Sequence, residues 1–359
     1  MSTNIPAVSA RWEAAAEETD SALSKTLVVA FLGSASSGKD AAIRALFGVD
    51  FGEIDPIPGS TDRLRVAAID HQQKFLVVNA PGFGDLRDEV DAEASKALDS
   101  LDVAIYVLNA DGGATIDERG DLDRVRALGR PVLVCINKID LIRESDRKAF
   151  IAATLLQLGV APKDAIVTAF DPMPALSPEP IGVDEVISWI ARTLAKDGKE
   201  LLFAKYMRNK ASACEPLIYQ AAKRAAVAGA IPVPGADATA VTLIQVKLIA
   251  DIAAVFGRDL DRDVMLFLVG EALAGGSKGF VRWAVNALKA AGWVPGGQIV
   301  HVATSTLGAT ISSAATWGVG KAAVAYMQRG DMTPEQFRTV FEAAAQAYRV
   351  HQDGGVATP

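Results

Sequence analysis

The residues best equipped for chemistry stand near the start of the chain. The apolar run Leu27-Val28-Val29-Ala30-Phe31-Leu32 gives way to Gly33-Ser34-Ala35-Ser36-Ser37-Gly38-Lys39-Asp40, and then to the helix-forming Ala41-Ala42-Ile43-Arg44-Ala45-Leu46. A strand that breaks into a glycine-bounded loop and enters a helix offers inward-pointing amides, the positive end of a helix dipole and a lysine that reaches outer phosphates. Phosphate binding is therefore expected of Gly33, Ser34, Ser36, Ser37, Gly38 and Lys39. The pattern asks for Ser or Thr after the lysine, because that hydroxyl binds Mg²⁺. This chain has Asp40 there, which leaves a working, a modified and a dead site all open.

Four shorter signals follow in order. Pro58-Gly59-Ser60-Thr61, near the end of the turn-rich segment Phe47 to Asp62, stands where a nucleotide-dependent switch carries the threonine that closes on Mg²⁺ and the γ-phosphate. The run Phe75 to Val78 leads into Asn79-Ala80-Pro81-Gly82-Phe83-Gly84-Asp85. Glycine at 82 lets a backbone amide approach the γ-phosphate, while the metal-holding Asp of such sites is Asn79 here. The run Val132 to Ile136 enters Asn137-Lys138-Ile139-Asp140. A carboxylate at 140 can accept hydrogen bonds from the guanine N1–H and exocyclic amine, a pair that adenine does not offer. Asn137 is expected to hold N7 and bridge back to the phosphate loop, with the stem of Lys138 along the base. Thr168 and Ala169 stand where a loop amide meets the guanine O6.

These residues need a scaffold that gathers the ends of several strands. Apolar runs at Leu64 to Ile69, Phe75 to Val78, Val103 to Leu108, Val132 to Ile136 and Ala165 to Val167 follow the first strand. They alternate with helical patterns at Glu89 to Ser100, Ile116 to Leu128, Ser145 to Leu158 and Val183 to Ala195. That alternation predicts an α/β fold with right-handed crossovers, a mostly parallel sheet and its ligand at the strand C-termini. Ahead of it, Ser9 to Ser24 reads as an amphipathic helix with Trp12, Ala15, Ala16, Thr19 and Leu23 on one face, packing on the core or on the C-terminal helices. From about Lys199 strand signals cease. Alanine-rich helices are expected at Glu200 to Ala228, Ala236 to Phe256, Asp261 to Leu273, Lys278 to Ala291, Gln298 to Met327 and Thr333 to Val350. The expected organisation is an N-terminal helix (1–24), an α/β nucleotide domain (25–197), an all-helical domain (198–352) and a loose tail (353–359).

Composition narrows the classes. The 359 residues carry a formal net charge of −7, which disfavours nonspecific nucleic-acid binding. Two cysteines exclude a disulfide scaffold, and the polar, acidic N-terminus is unlike a secretory signal. A cytoplasmic protein is expected. Half of the residues are hydrophobic and the mean hydropathy is +0.22. The uncharged stretch between Lys289 and Lys321 contributes to this. Within it, Ile299 to Gly320 is long enough to span a bilayer, yet it is rich in Ser and Thr and in glycines that allow close helix packing. A buried central helix, a membrane contact and a span are the readings it permits.

With the motifs in this order, residues 25–197 resemble a GTPase of the translation-factor-related class, nearest to Era-like and dynamin-like members. The helical remainder resembles the YcjF-like domain that accompanies such GTPases in bacteria. That likeness is carried by Ile231-Pro232-Val233-Pro234-Gly235-Ala236-Asp237 and by Gln245-Val246-Lys247 with Ile249; a more distant likeness to immunity-related GTPases also exists. The resemblance implies GTP and GDP as ligands, GTP hydrolysis, and Mg²⁺ as cofactor, with potassium as an alternative aid. It implies catalytic roles for Lys39, Thr61 and Gly82 and metal contacts from Asp40 and Thr61. Phe83 replaces the water-orienting glutamine of Ras-like proteins, so slow turnover, stimulated by homodimerisation or nucleotide-dependent self-assembly, is the implied behaviour. A membrane surface, peripheral at the inner membrane, is a further implied partner. Asp40 and Asn79 depart from the pattern. Either they mark a nonhydrolysing scaffold, or the carboxylate has moved from one position to the other.

Overall fold

The computed structural model describes residues 5–50, 65–80, 99–230, 236–258, 300–330 and 332–348. Thr61, Gly82, Phe83, most of the helix expected at Glu89 to Ser100, both helices expected between 261 and 291, and the tail lie outside the described residues. The chain forms two compact units, Ala22–Ala213 and Met1–Ser21 with Cys214–Pro359.

After helix α1 (Ile5–Leu23), the first of these units begins with β1 (Leu27–Leu32) and α2 (Lys39–Phe47). Next come β2 (Arg65–Ala68), β3 (Phe75–Ala80), β4 (Val103–Asn109) and α3 (Ile116–Arg126). Then follow β5 (Val132–Asn137), α4 (Glu144–Leu158), β6 (Ala165–Val167), α5 (Val183–Leu194) and α6 (Glu200–Tyr206). The strands form one sheet in the order β2-β3-β1-β4-β5-β6. Only β2 runs antiparallel, against β3; the other pairings are parallel. The unbroken apolar runs of β1 and β4 are those of strands covered on both faces, and β1 is buried along its whole length. The chain leaves β1 toward β3 on one side and returns past it to β4 on the other, so the end of β1 is the switch point where open α/β sheets bind ligands.

One face of the sheet packs Val28, Ala30, Leu32, Tyr106 and Leu108 against Leu122 and Val125 of α3. The other carries an edge-to-face aromatic cluster in which Phe47 meets Phe31, Phe75 and Phe203 at ring-centroid distances of 6.0, 5.3 and 6.4 Å. Phe203 belongs to α6, and this shows a correction to the helix expected from Glu200 to Ala228. That segment is two helices, α6 and α7 (Lys210–Gly229). Met207 turns extended, the Arg208 amide donates to the Leu46 carbonyl at 2.7 Å, and the Asn209 side chain accepts from the Ser212 amide at 3.2 Å, capping α7.

The second unit contains the rest of α7 with α8 (Ala236–Val255), α9 (Val300–Arg329) and α10 (Pro334–Ala347). Glycines set the approach of these helices. A Cβ on Gly308 would lie 2.1 Å from the Gly229 carbonyl oxygen, one on Gly318 2.8 Å from the Phe341 carbonyl oxygen, and one on Gly320 2.6 Å from the Ile218 side chain. Ser313, Thr316 and Ala314 of α9 are buried, and the Thr316 hydroxyl accepts from Gln245 Nε2 at 3.3 Å. Helix α1 contributes Thr19, which donates to Asp251 of α8 at 2.8 Å. No helix among the described residues is long and apolar enough to cross a membrane.

Candidate nucleotide site

The loop between β1 and α2 is shaped by three residues with left-handed or otherwise positive φ: Gly33 (+134°), Ser36 (+62°) and Gly38 (+100°). Glycine is required at two of them for space as well as conformation. A Cβ on Gly33 would sit 2.1 Å from the Val107 carbonyl oxygen, and one on Gly38 2.2 Å from Asn137 Nδ2. No side chain caps the N-terminus of α2, so its first-turn amides and its dipole face the loop, an arrangement that receives an anion.

Lys39 opens α2 and is buried. Its ammonium donates to the Gly33 carbonyl at 3.0 Å and the Ser34 carbonyl at 2.9 Å. Three N–H groups are available, so one remains for a phosphate oxygen. Burial lowers its pKa below the ordinary 10.5, against an upward pull from neighbouring Asp40. Ser34 donates through its hydroxyl to Glu118 Oε1 at 3.2 Å. Glu118 also closes the capping box of α3, its other oxygen accepting from the Thr115 amide and hydroxyl at 2.9 and 3.0 Å. Sequence reasoning missed Glu118 as a neighbour of the phosphate loop, although Thr115-x-x-Glu118 is a recognisable capping pattern. Ser36 is exposed, and the Ser37 hydroxyl is buried with no hydrogen-bond partner among the described residues.

Asn137 ties the site together. Its Nδ2 donates to the Ser37 carbonyl at 2.8 Å, and its Oδ1 accepts from the Phe170 amide at 3.1 Å and the Thr168 hydroxyl at 3.3 Å. The bridge to the phosphate loop expected from the sequence is thus present as a contact. Lys138 turns left-handed (φ +63°) and starts a short turn that leaves Asp140 buried at 7% exposure. Asp140 Oδ2 accepts from the Met173 amide at 3.2 Å, which orients the carboxylate. The Thr168 amide donates to the Ile136 carbonyl at 2.8 Å and the Ala169 amide to the Ile181 carbonyl at 3.0 Å. The two amides assigned to base contact are therefore engaged within the protein. The adjoining Phe170 amide points at Asn137 instead. Phe170 and Met173 act through backbone N–H groups, which leave no signature in residue type.

Asp40 and Asn79 meet. Asn79, at the β3 position registered with Phe31 and Arg65, donates through Nδ2 to Asp40 Oδ1 at 2.6 Å. A carboxylate and an amide carbonyl at the mouth of a phosphate loop are hard oxygen donors of the kind Mg²⁺ accepts, so the residues present suit that ion.

Residues 28–138 match the family described as 50S ribosome-binding GTPase, and residues 194–349 match a family described as a domain of unknown function, DUF697. The chain is similar to GTPase Der of Geobacter sp. (strain M21), 28% identical over 119 residues that make up 32% of this chain and 27% of that protein. It is also similar to GTPase Der of Mycobacterium marinum, 29% identical over 144 residues, 39% of this chain and 30% of that one. The match therefore spans less than a third of either relative. Among solved structures, a probable GTP-binding protein engB is 19% identical with a TM-score of 0.34, covering 47% of this chain and 99% of its own. Era in complex with MgGDPNP and nucleotides of 16S ribosomal RNA is 17% identical with a TM-score of 0.34, covering 56% of this chain and 67% of its own. The chain joins a P-loop GTPase domain, built on the parallel sheet, to a helical domain of the DUF697 family.

Proposed function

We propose that the protein is a guanine-nucleotide switch that binds GTP and GDP at the 33–40 loop, hydrolyses GTP slowly and passes its nucleotide state to the helical domain. The observation that carries this reading is Asn137, which precedes the Asp140 turn and joins the phosphate loop to the loop of Thr168 and Phe170 through three hydrogen bonds. In this reading Gly33, Ser34, Ser36, Ser37 and Gly38 surround the phosphates and Lys39 balances their charge. Asp140 selects guanine, with Lys138 along the base. Thr61 and Gly82 close on the γ-phosphate side, and Asp40 with Thr61 would hold Mg²⁺. Bound there, Mg²⁺ would neutralise charge on the phosphate oxygens.

Because Phe83 cannot orient water, turnover is slow until a second copy or potassium completes the site. The helical domain then converts nucleotide state into self-assembly or contact with a partner or a membrane surface at the inner face of the cell. Ribosome binding, which the description of the matched family carries, gains no electrostatic support from a formal charge of −7. A nonhydrolysing scaffold is the second reading. It is favoured by an anionic Asp40 in the first turn of α2, where the pattern has a neutral hydroxyl.

Phosphate release from GTP and Mg²⁺, followed across protein concentrations, separates the two. The switch turns over slowly and faster per molecule as concentration rises; bound nucleotide with no release at any concentration supports the scaffold. Specificity is tested with Asp140→Asn, which exchanges an acceptor for a donor. It is expected to weaken GDP at least about tenfold, roughly 1.4 kcal/mol, while improving xanthosine diphosphate, as read by calorimetric titration. An unchanged preference would remove the guanine assignment.

A further inference from the structure

The geometry points to Asp40 and Asn79 as one functional unit, in which Asp40 is the protein's direct ligand for the nucleotide-bound divalent cation and Asn79 is the positioning residue that aims it. This rests on the nucleotide reading above and deepens it at one place.

Phosphate loops of this kind bring a neutral Ser or Thr hydroxyl to the metal after the lysine and an Asp from a neighbouring strand. The formal charge of that pair is −1. Here the hydroxyl position holds a carboxylate and the strand position holds a neutral amide, so the charge of the pair is again −1 but sits on α2 instead of β3. The sheet order places β3 beside β1, which brings these two positions, 39 residues apart in the chain, to the same end of the sheet. They meet there, with Asn79 Nδ2 2.6 Å from Asp40 Oδ1. Only the amide N–H can face a carboxylate oxygen favourably, so this contact also fixes the Asn79 side chain, with its own Oδ1 turned away from Asp40. One carboxylate oxygen is held by Asn79, the other has no hydrogen-bond partner among the described residues, and Asp40 is exposed.

The exchange has a consequence that a hydroxyl would not produce. Without a cation, the Asp40 carboxylate faces the phosphates and opposes their binding. With a cation between them, the same charge becomes a strong ligand. Nucleotide affinity in this protein should therefore depend steeply on divalent metal, and removing the charge should change affinity in opposite directions in the two conditions. A misfolded or merely loosened site would lose affinity in both.

The test is titration of the full chain with a fluorescent GDP analogue, in Mg²⁺ and in EDTA, for the wild type, Asp40→Asn, Asn79→Ala and the double variant Asp40→Ser/Asn79→Asp. The wild type is expected to bind at least about tenfold more tightly in Mg²⁺. Asp40→Asn should bind more tightly than the wild type in EDTA and show little further response to Mg²⁺. Asn79→Ala should need roughly 10–100-fold more Mg²⁺ for the same response, the usual loss when a ligand's orienting partner is removed. The double variant, with the carboxylate returned to the strand, should regain the Mg²⁺ response. Mn²⁺ in place of Mg²⁺ gives a second readout, since the resonance spectrum of bound Mn²⁺ should differ between wild type and Asp40→Asn with GDP present. An Asp40→Asn variant that keeps the wild-type Mg²⁺ response, or a wild type that binds GDP equally in Mg²⁺ and EDTA, overturns the assignment while leaving guanine binding intact. A wild type that binds no GDP in either condition overturns the nucleotide reading itself and the metal role with it.

Discussion

Asn137 makes three buried contacts, and no other residue type can make all of them. Its amide nitrogen must donate to the Ser37 carbonyl while its oxygen accepts from the Phe170 amide and the Thr168 hydroxyl. Asp would repel the carbonyl, and Gln is one methylene too long for the gap beside Gly38, where even a Cβ would come within 2.2 Å of Nδ2. Asn137→Ala is expected to leave those partners buried without replacement. Each unsatisfied group costs about 1–3 kcal/mol, so urea unfolding should shift to a lower midpoint. The phosphate loop loses its strut in the same step, so GDP affinity should fall by more than the shift in folding stability explains. If the midpoint moves and GDP affinity does not, Asn137 is structural only.

At the scale of elements, the helical unit depends on glycines that let backbones touch. A methyl group at Gly308 would press on the Gly229 carbonyl, which belongs to a helix and has no room to turn aside. Overpacking of this kind costs about 1–3 kcal/mol, against a gain of roughly 1 kcal/mol from replacing helical glycine by alanine. Gly308→Ala is therefore expected to lower the thermal midpoint of the protein. Gly120 in α3 provides the opposite case, because a Cβ there meets nothing within 4 Å. Gly120→Ala should raise stability by about 1 kcal/mol through helix propensity alone. Circular dichroism melts of the two variants are expected to move in opposite directions; a rise for both would mean that α9 does not pack as described. That packing also bears on the uncharged stretch of α9. Among its described residues, Gly308, Gly318, Gly320 and Thr316 lie against Gly229, Phe341, Ile218 and Gln245, which favours the buried-helix reading over exposure to lipid.

For the molecule as a whole, the informative titration is that of Asp251. Burial pushes its carboxyl above the ordinary 3.8, while Lys247, the Thr19 hydroxyl and Arg224 pull it down without cancelling the rise. Lys247 pairs directly with Asp251 one helical turn away, and Thr19 reaches it from α1. In the window between 3.8 and the raised value, the folded protein keeps a proton that the unfolded chain has released. Stability from this group therefore falls as pH rises through that window, and the cost persists at neutral pH. Asp251→Asn should flatten this acid-side slope in a series of urea midpoints measured against pH. A slope unchanged in the variant would assign the pH response to other groups.

The class of fold and the loops that make up the candidate site were legible in the sequence, because those features are local. Two glycines and a lysine between an apolar strand and a helix, and an Asn-Lys-x-Asp turn after another strand, require no knowledge of what lies opposite. Alternating strand and helix patterns were equally legible, since a strand buried on both faces shows itself in every residue. The break at Met207 to Asn209 was not, because helix-forming residues such as Leu, Lys, Met and Arg flank and enter it, and it is accompanied by a hydrogen bond to Leu46, far back in the chain. The parts played by Phe170 and Met173 were hidden because a backbone amide looks alike in every residue. Ser34 with Glu118 and Asp40 with Asn79 are pairs 84 and 39 positions apart. Only the closure of the sheet, with β1 between β3 and β4 and the loop ends gathered at its switch point, puts such partners within hydrogen-bond reach. What read in the sequence as two departures from a pattern became, through that closure, a single contact.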